Sequence, residues 1–208
     1  MFLTDAQLSL IEADTYAAHP EGEVYAVGCD LVTIRRFYEF DVVSVRGTDN
    51  PQGWISDFKI VGCRSARHPD FGQCESGFLE GAIAVWQLIG PRLGDKPLLM
   101  QGHSRGAGML PILAGLAIAA NLRVAYCVGW EMPWAVGWEM RDFLMWRGMQ
   151  GIQYWYGDDP VPTIPAVPWL VPNVWKYRYI GEWMLDPFDC HSMARISAWM
   201  NDPNRPAL

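Results

Sequence analysis

Ser104 is the residue whose surroundings point most directly to chemistry. It lies at the centre of residues 102–106, GHSRG, which fit the pattern G-x-S-x-G. In that pattern a serine occupies a sharp turn between a strand and a helix, so that its hydroxyl projects from the end of a sheet. A hydroxyl placed in this way can attack a carbonyl carbon. The alternative interpretation is a tight turn with a surface serine.

The flanking sequence supplies the two elements that this turn requires. Residues 97–100, PLLM, form a short apolar run that is typical of a buried strand, and residues 105–120 are rich in Ala and Leu over a length that suits a helix. Gly102, Gly106 and Gly108 let backbone segments approach closely at the turn. We therefore predict a strand, a serine-bearing turn and a helix, in that order.

The four histidines are the candidates for the base that a serine nucleophile needs. His19 follows a predicted helix, and His68 lies in a predicted loop. His103 is next to the serine, so we expect its side chain to point away and pack beneath it. His191 is left, in a loop after the last predicted strand, and we interpret it as the general base.

Two neighbouring aspartates are candidates for the acid that orients this base. Asp159 follows the predicted strand Gly151–Tyr156, and Asp158 remains open as the alternative because strand ends are poorly defined by sequence. The chain order Ser104, Asp159, His191 is the order found in α/β-hydrolases.

Strands and helices alternate along the chain, which predicts an α/β fold with a mostly parallel central sheet flanked by helices. The 208 residues contain no internal repeat, so we expect a single domain over residues 1–208. The elements that bear on the site are predicted helices over residues 4–18, 76–89 and most of 131–147, a loop over 59–76, a strand at 41–45 and an extended proline-rich loop at 160–172.

Composition excludes several classes of protein. The net charge is −7 with no basic cluster, which argues against nucleic acid as a partner. No apolar run is long enough for a transmembrane segment, and the acidic N-terminus is unlike a Sec signal peptide, so we expect a soluble protein of unassigned location. The five cysteines have no metal-binding spacing, and we expect neither metal nor cofactor. Cys63 and Cys74 bracket a loop that a disulfide would close, but free thiols are the favoured interpretation.

The tryptophans are concentrated in one part of the chain. Nine of the eleven fall between Trp130 and Trp199. The favoured interpretation is that most of them fill a small core, and the alternative is an aromatic wall around a substrate groove.

Four blocks of the sequence resemble the class 3 (fungal-type) triacylglycerol lipase family of the α/β-hydrolase superfamily. They are VSVRGTDNPQGWISDF, SGFLEGA, GHSRGAG and GDDPVPTIP, in the family's order. The resemblance implies an α/β-hydrolase fold without a large cap domain. It also implies cleavage of a small-molecule or lipid ester through an acyl-enzyme intermediate, with transient contact at a lipid interface as a further expectation. A feruloyl or acetyl-glycan esterase, or a non-catalytic protein that kept the fold, are the alternatives.

The resemblance assigns roles by position. Ser104 is expected to be the nucleophile, His191 the base and Asp159 its orienting acid. The backbone N–H of Arg105 and the N–H and hydroxyl of Thr48 are expected to hold the oxyanion.

The sequence departs from the family at three places. Arg105 stands where the family has Leu, and its side chain either lies beside the oxyanion or turns outward to a carboxylate. The stretch between Arg46 and the serine turn is compact, which argues against a large mobile lid, and residues 50–58 are the candidate for a short one. Residues 129–138, GWEMPWAVGW, differ from the family's segment and alter a wall near the site.

Overall fold

The fold is described from a computed structural model that covers residues 3–48, 63–181 and 187–206. The strands are β1 (Glu23–Val27), β2 (Asp30–Arg36), β3 (Asp41–Val45), β4 (Ser65–His68), β5 (Gly72–Glu75), β6 (Leu98–His103), β7 (Val124–Trp130), β8 (Gly151–Tyr156) and β9 (Lys176–Ile180). The helices are α1 (Asp5–Asp14), α2 (Ser76–Ile89), α3 (Arg105–Ala119), α4 (Trp138–Trp146), α5 (Pro187–Cys190) and α6 (Met193–Met200), with single 3-10 turns at Gly90–Arg92 and Val161–Thr163.

One seven-stranded sheet organises these elements, in the order β1-β2-β3-β6-β7-β8-β9. The first three strands pair antiparallel, and the pairs from β3 through β9 are all parallel. This confirms the predicted mostly parallel sheet. The carboxyl ends of β3, β6, β7, β8 and β9 therefore lie along the same edge, where the loops carry the predicted site residues.

Helices cover both faces of the sheet, and alternate residues of each central strand enter two separate cores. Val43 and Val45 of β3 pack with residues of α2, α3 and α4, whereas Val42 packs with residues of α1 and α6. All five residues of β3 and all six of β6 are buried. Burial on both faces explains why apolar residues are consecutive at 42–43 in β3 and at 98–100 in β6, rather than alternating with polar ones.

The predicted helix over residues 131–147 is wrong in its first half, because α4 begins only at Trp138. Glu131 has a φ of +51°, which is outside the right-handed helical region. Val136 instead forms an isolated bridge with Cys74, and the N–H of Gly137 donates to the carbonyl of Gln73 at 2.8 Å. Trp134 and Trp138 therefore do not share a helix face.

The predicted loop over residues 59–76 is also wrong in part, since β4 and β5 form an antiparallel hairpin there. Its strands have four residues each and are mostly polar, so they lack the alternation that identifies a strand from sequence. Phe71 anchors the hairpin in the core. The predicted short lid at residues 50–58 lies outside the described residues.

Helix α1 begins with a capping box of Thr4 and Gln7 and carries a fully buried carboxyl, Glu12. Neither oxygen of Glu12 makes a well-formed hydrogen bond to a described residue. Burial raises the pKa of Glu12 well above its usual range, although the Ser44 hydroxyl and the His103 backbone oppose this shift. We infer that Glu12 stays protonated in the folded protein.

Replacing Glu12 by Gln should make stability less dependent on pH. The unfolded chain releases the Glu12 proton above about pH 4.3, whereas the folded protein retains it, so the free energy of unfolding falls as pH rises through this window. Within this window, the free energy of unfolding of Glu12→Gln should rise relative to that of the wild type by up to about 1.4 kcal/mol per pH unit. Urea unfolding from pH 5 to pH 8 measures this, with the exposed Glu80→Gln as control. A Glu12→Gln difference that stays constant with pH would contradict a protonated Glu12.

Among residues 3–48, 63–181 and 187–206, no helix combines the length and apolar character needed to cross a bilayer.

Candidate active site

Ser104 occupies a strained turn between β6 and α3. Its φ is +54° and its ψ is −123°, a conformation that non-glycine residues rarely adopt and that is often found at functional sites. A Cβ on Gly106 would lie 1.9 Å from the carbonyl oxygen of Val45, so only glycine allows the helix to pass this strand. The N–H of Ser104 donates to the carbonyl of Trp130 at 2.9 Å, which ties the serine to the end of β7.

Asp159 and His191 form a buried pair at the same edge of the sheet. The Nδ1 of His191 bonds to Oδ2 of Asp159, and the other Asp159 oxygen accepts the N–H of Val161 at 2.9 Å. Asp159 is fully buried and His191 is 5% exposed. The bond fixes Nδ1 as the protonated nitrogen and leaves Nε2 with a lone pair. The structure therefore pairs the histidine with Asp159 rather than with Asp158.

A proton transfer from the serine to the histidine would take place between Oγ of Ser104 and Nε2 of His191. Neither Oγ of Ser104 nor Nε2 of His191 has a hydrogen-bond partner among the described residues, and both atoms are buried. Hydrogen bonds between catalytic groups are often long or poorly aligned in the absence of substrate. This arrangement is chemically consistent with a serine and its base before substrate binds.

Tyr16 connects the segment after β3 to the serine turn. Its hydroxyl accepts the N–H of Gly47 at 3.0 Å and forms a hydrogen bond with Nδ1 of His103, 2.6 Å away. A Cβ on Gly47 would lie 2.8 Å from the Cβ of Ser104, so this backbone lies directly against the serine. Tyr16 was missed by the sequence analysis, because nothing in an amphipathic helix end marks a residue that acts on a turn 87 positions later.

His103 lies beside the candidate base rather than only beneath the serine. Its ring centroid is 4.7 Å from that of His191. Burial, followed by the charge of His191, lowers the pKa of His103 well below its usual range. His103 therefore stays neutral and does not place a second positive charge beside an imidazolium at His191.

Thr48 lines a cavity together with His103 and His191. The cavity has a volume of about 280 Å³, and its walls include Tyr16, Thr48, His103, His191 and Met193. Thr48 follows Gly47 directly, so its backbone and hydroxyl lie at the carboxyl end of β3. The structure thus brings the segment of Thr48 to the same space as the histidine pair.

Arg105 directs its guanidinium away from this cavity. Nε donates to Asp30 at 2.8 Å, and one terminal nitrogen contacts the carbonyl of Gly77 at 3.3 Å. The outward, carboxylate-paired alternative is therefore the correct one for the side chain. Its backbone N–H, at the first residue of α3, remains next to Ser104.

Replacing Arg105 by Leu should reduce stability without selecting between substrates. Asp30 is only 5% exposed and would lose its partner, so we expect a loss of about 3–5 kcal/mol in the free energy of unfolding. The double variant Arg105→Leu/Asp30→Asn should recover part of this loss in urea unfolding. Anionic and neutral esters should be affected equally in kcat/KM, and a selective loss for anionic esters would contradict the observed pairing.

A second cavity, of about 260 Å³, lies where the segment between β8 and β9 crosses the sheet. Its walls include Met132, Trp134, Trp155, Pro162 and Tyr177.

Among the described tryptophans only Trp130 and Trp175 are buried, so the expectation that most of them fill the core is wrong. The described cysteines, including Cys63 and Cys74, are free thiols.

Comparison with known proteins identifies the family. The sequence pattern of "Lipase (class 3)" matches residues 42–169, more than half of the chain. Among solved structures, a Rhizomucor miehei triacylglyceride lipase has a TM-score of 0.67 at 13% identity, over 89% of this chain and 81% of that chain. A fungal lipase has a TM-score of 0.68 at 16% identity, over 84% and 78% of the two chains. Lipase II of Rhizopus niveus has a TM-score of 0.60 at 14% identity, over 78% and 76%.

The structural matches show a shared α/β-hydrolase fold, since their identities are too low to show more. No curated protein sequence matches the chain. The matched residues 42–169 include β3 except its first residue, the serine turn and Asp159, while His191 lies beyond them. Because the family pattern matches more than half of the chain, the chain belongs to the class 3 lipase family.

Proposed function

We propose that this protein hydrolyses carboxylic esters through an acyl-enzyme intermediate formed on Ser104. The observation that carries the proposal is the buried Asp159–His191 pair at the sheet edge where the strained serine turn also lies. A base oriented by a buried carboxylate, at the sheet edge that also carries a serine on a strained turn, is the arrangement that activates a hydroxyl for acyl transfer. The family supports ester hydrolysis as the general activity.

Each group has a defined task in the proposed reaction. Nε2 of His191 takes the proton of Ser104 as Oγ attacks the ester carbonyl, and Asp159 stabilises the resulting imidazolium. The backbone N–H groups of Arg105 and Thr48, with the Thr48 hydroxyl, stabilise the negative charge on the carbonyl oxygen. His191 then returns the proton to the departing alcohol, and water releases the acid from Ser104 by the same steps.

The substrate we propose is an ester with an apolar acyl or aryl part, carried by a lipid or by a small molecule. Met193 and the rings of Tyr16 and His103 give the 280 Å³ cavity beside His191 a partly apolar wall. We also propose that residues 1–208 act as one domain, since seven of the nine described strands form one sheet and the β4–β5 hairpin shares its core through Phe71. Contact with a lipid interface belongs to the same proposal and is tested with it.

Two measurements test the proposal. A fluorophosphonate should label the folded protein at Ser104, and heat-denatured protein should not react. Hydrolysis of p-nitrophenyl esters from acetyl to palmitoyl, with and without an emulsified interface, then separates a lipase from an esterase of short or aromatic acids. A folded protein that is neither labelled nor active on any ester would support a non-catalytic member of the family.

A further inference from the structure

Glu131 is a buried carboxyl at the end of β7 to which the proposed mechanism gives no task. It is fully buried and has a φ of +51°. A long side chain held in the left-handed region carries a conformational cost, so its position is set by the contacts around it. Those contacts lie between the serine turn and the turn that bears Asp159.

The backbone connects Glu131 to both turns. The residue before it, Trp130, accepts the N–H of Ser104 at 2.9 Å. The N–H of Glu131 itself donates to the carbonyl of Tyr154 at 3.0 Å, and Oε1 accepts the N–H of Tyr156. Tyr156 in turn accepts the N–H of Asp159 at 3.4 Å. Glu131 is thus bonded to the strand end from which Asp159 projects.

The second oxygen of Glu131 has no donor. Oε2 is buried and no described N–H or O–H group bonds to it. Its neighbour is Asp159, which as a carboxylate can only accept, and two carboxylates cannot bond without a proton between them. Burial and the charge of Asp159 raise the pKa of Glu131 well above its usual range, so a proton is available there.

The other ionisable groups near Glu131 reinforce this state. They are the thiol of Cys190 and the phenols of Tyr177 and Tyr179. Each of these groups is neutral when protonated and anionic when deprotonated, so none of them becomes a cation. His191 is bonded to Oδ2 of Asp159. None of these contacts among the described residues supplies a cation that would favour an ionised Glu131.

We propose that Glu131 is a positioning residue that donates its carboxylic acid O–H from Oε2 to Asp159, and so holds Asp159 against His191. The inference rests on the proposed function, since it concerns the acid of the same site. Glu131 itself does not contact the substrate. Its bond disperses part of the negative charge on Asp159, which moderates the stabilisation of the His191 imidazolium.

Two substitutions separate the proposed bond from a packing role. Glu131→Gln keeps an acceptor for the Tyr156 N–H and a donor for Asp159, so kcat should stay within about threefold of wild type and the acid midpoint of kcat/KM should not move. Glu131→Leu removes both, so kcat per labelled site should fall roughly 10- to 100-fold at similar KM. The same loss concentrates charge on Asp159, so the acid midpoint should shift to higher pH. Glu139→Gln, on the exposed side of α4, is the matched control.

Active enzyme is counted by fluorophosphonate labelling, so that partial unfolding does not enter kcat. Acid midpoints that fall in both Glu131 variants would overturn the proposal, because they would mean that an ionised carboxylate had been removed. A Leu variant with wild-type kcat and midpoint would overturn it as well. If the Leu variant does not fold, the Gln variant decides alone, through an unchanged or a lowered midpoint. Wild-type protein that is not labelled would instead disprove the proposed function.

Discussion

Replacing Ser104 by Ala should abolish fluorophosphonate labelling and lower kcat by about 10⁶-fold, with KM little changed. The reason is that the proposed acyl-enzyme forms on this hydroxyl, and no other described group occupies its position at the end of β6. His191→Ala should lose a similar factor, and the double variant should lose no more than either, because the two residues act as one unit. Steady-state ester hydrolysis measures all three.

The same position offers an internal control for folding. Ser104 is held at a φ of +54°, which glycine adopts without strain. Ser104→Gly should therefore be inactive yet more stable than wild type by about 1 kcal/mol, since strain at such positions costs roughly 1–3 kcal/mol. Ser65→Ala, at an exposed serine of β4, should leave both properties unchanged. Substantial activity in Ser104→Gly would contradict the assignment of the nucleophile.

The parts of the site that the sequence predicts are those fixed by local geometry. The serine turn needs glycines at 102 and 106 because its strand and helix meet within four residues, and that requirement is visible in GHSRG. Asp159 was identified because it lies in the turn after β8, and His191 because it lies in a loop after the last strand. Each of these inferences depends on neighbours in the chain.

The parts that the sequence does not predict depend on distant partners. Arg105 pairs with Asp30, 75 residues earlier, so its orientation could only remain open. The sequence analysis predicts a helix over most of residues 131–147, whereas the bridge of Val136 to Cys74 of the β4–β5 hairpin holds the backbone there in an extended conformation. The hairpin itself was missed because its polar strands depend on Phe71 being buried by other elements.

Asp159 was predicted from its place after a strand, but its role depends on the distant His191. Its substitution should have the second large effect on activity. Asp159→Asn should lower kcat by about 10⁴-fold, because an amide cannot stabilise the imidazolium and tends to hold His191 in the wrong tautomer. Asp158→Asn should retain activity close to wild type, since the His191 bond goes to Asp159. The two substitutions change the same atoms at adjacent positions, so the comparison isolates the bond to His191.

The residual activity of Asp159→Asn also tests whether Glu131 is protonated. In Asp159→Asn the neighbouring negative charge is gone, which removes one of the two main causes that hold Glu131 protonated. Its burial remains, so Glu131 should stay neutral and should not take over the task of the missing acid. The residual activity of Asp159→Asn should then be unchanged by adding Glu131→Gln. A further loss in the double variant would mean that Glu131 acts on His191 directly, and equal losses in Asp158→Asn and Asp159→Asn would contradict the triad itself.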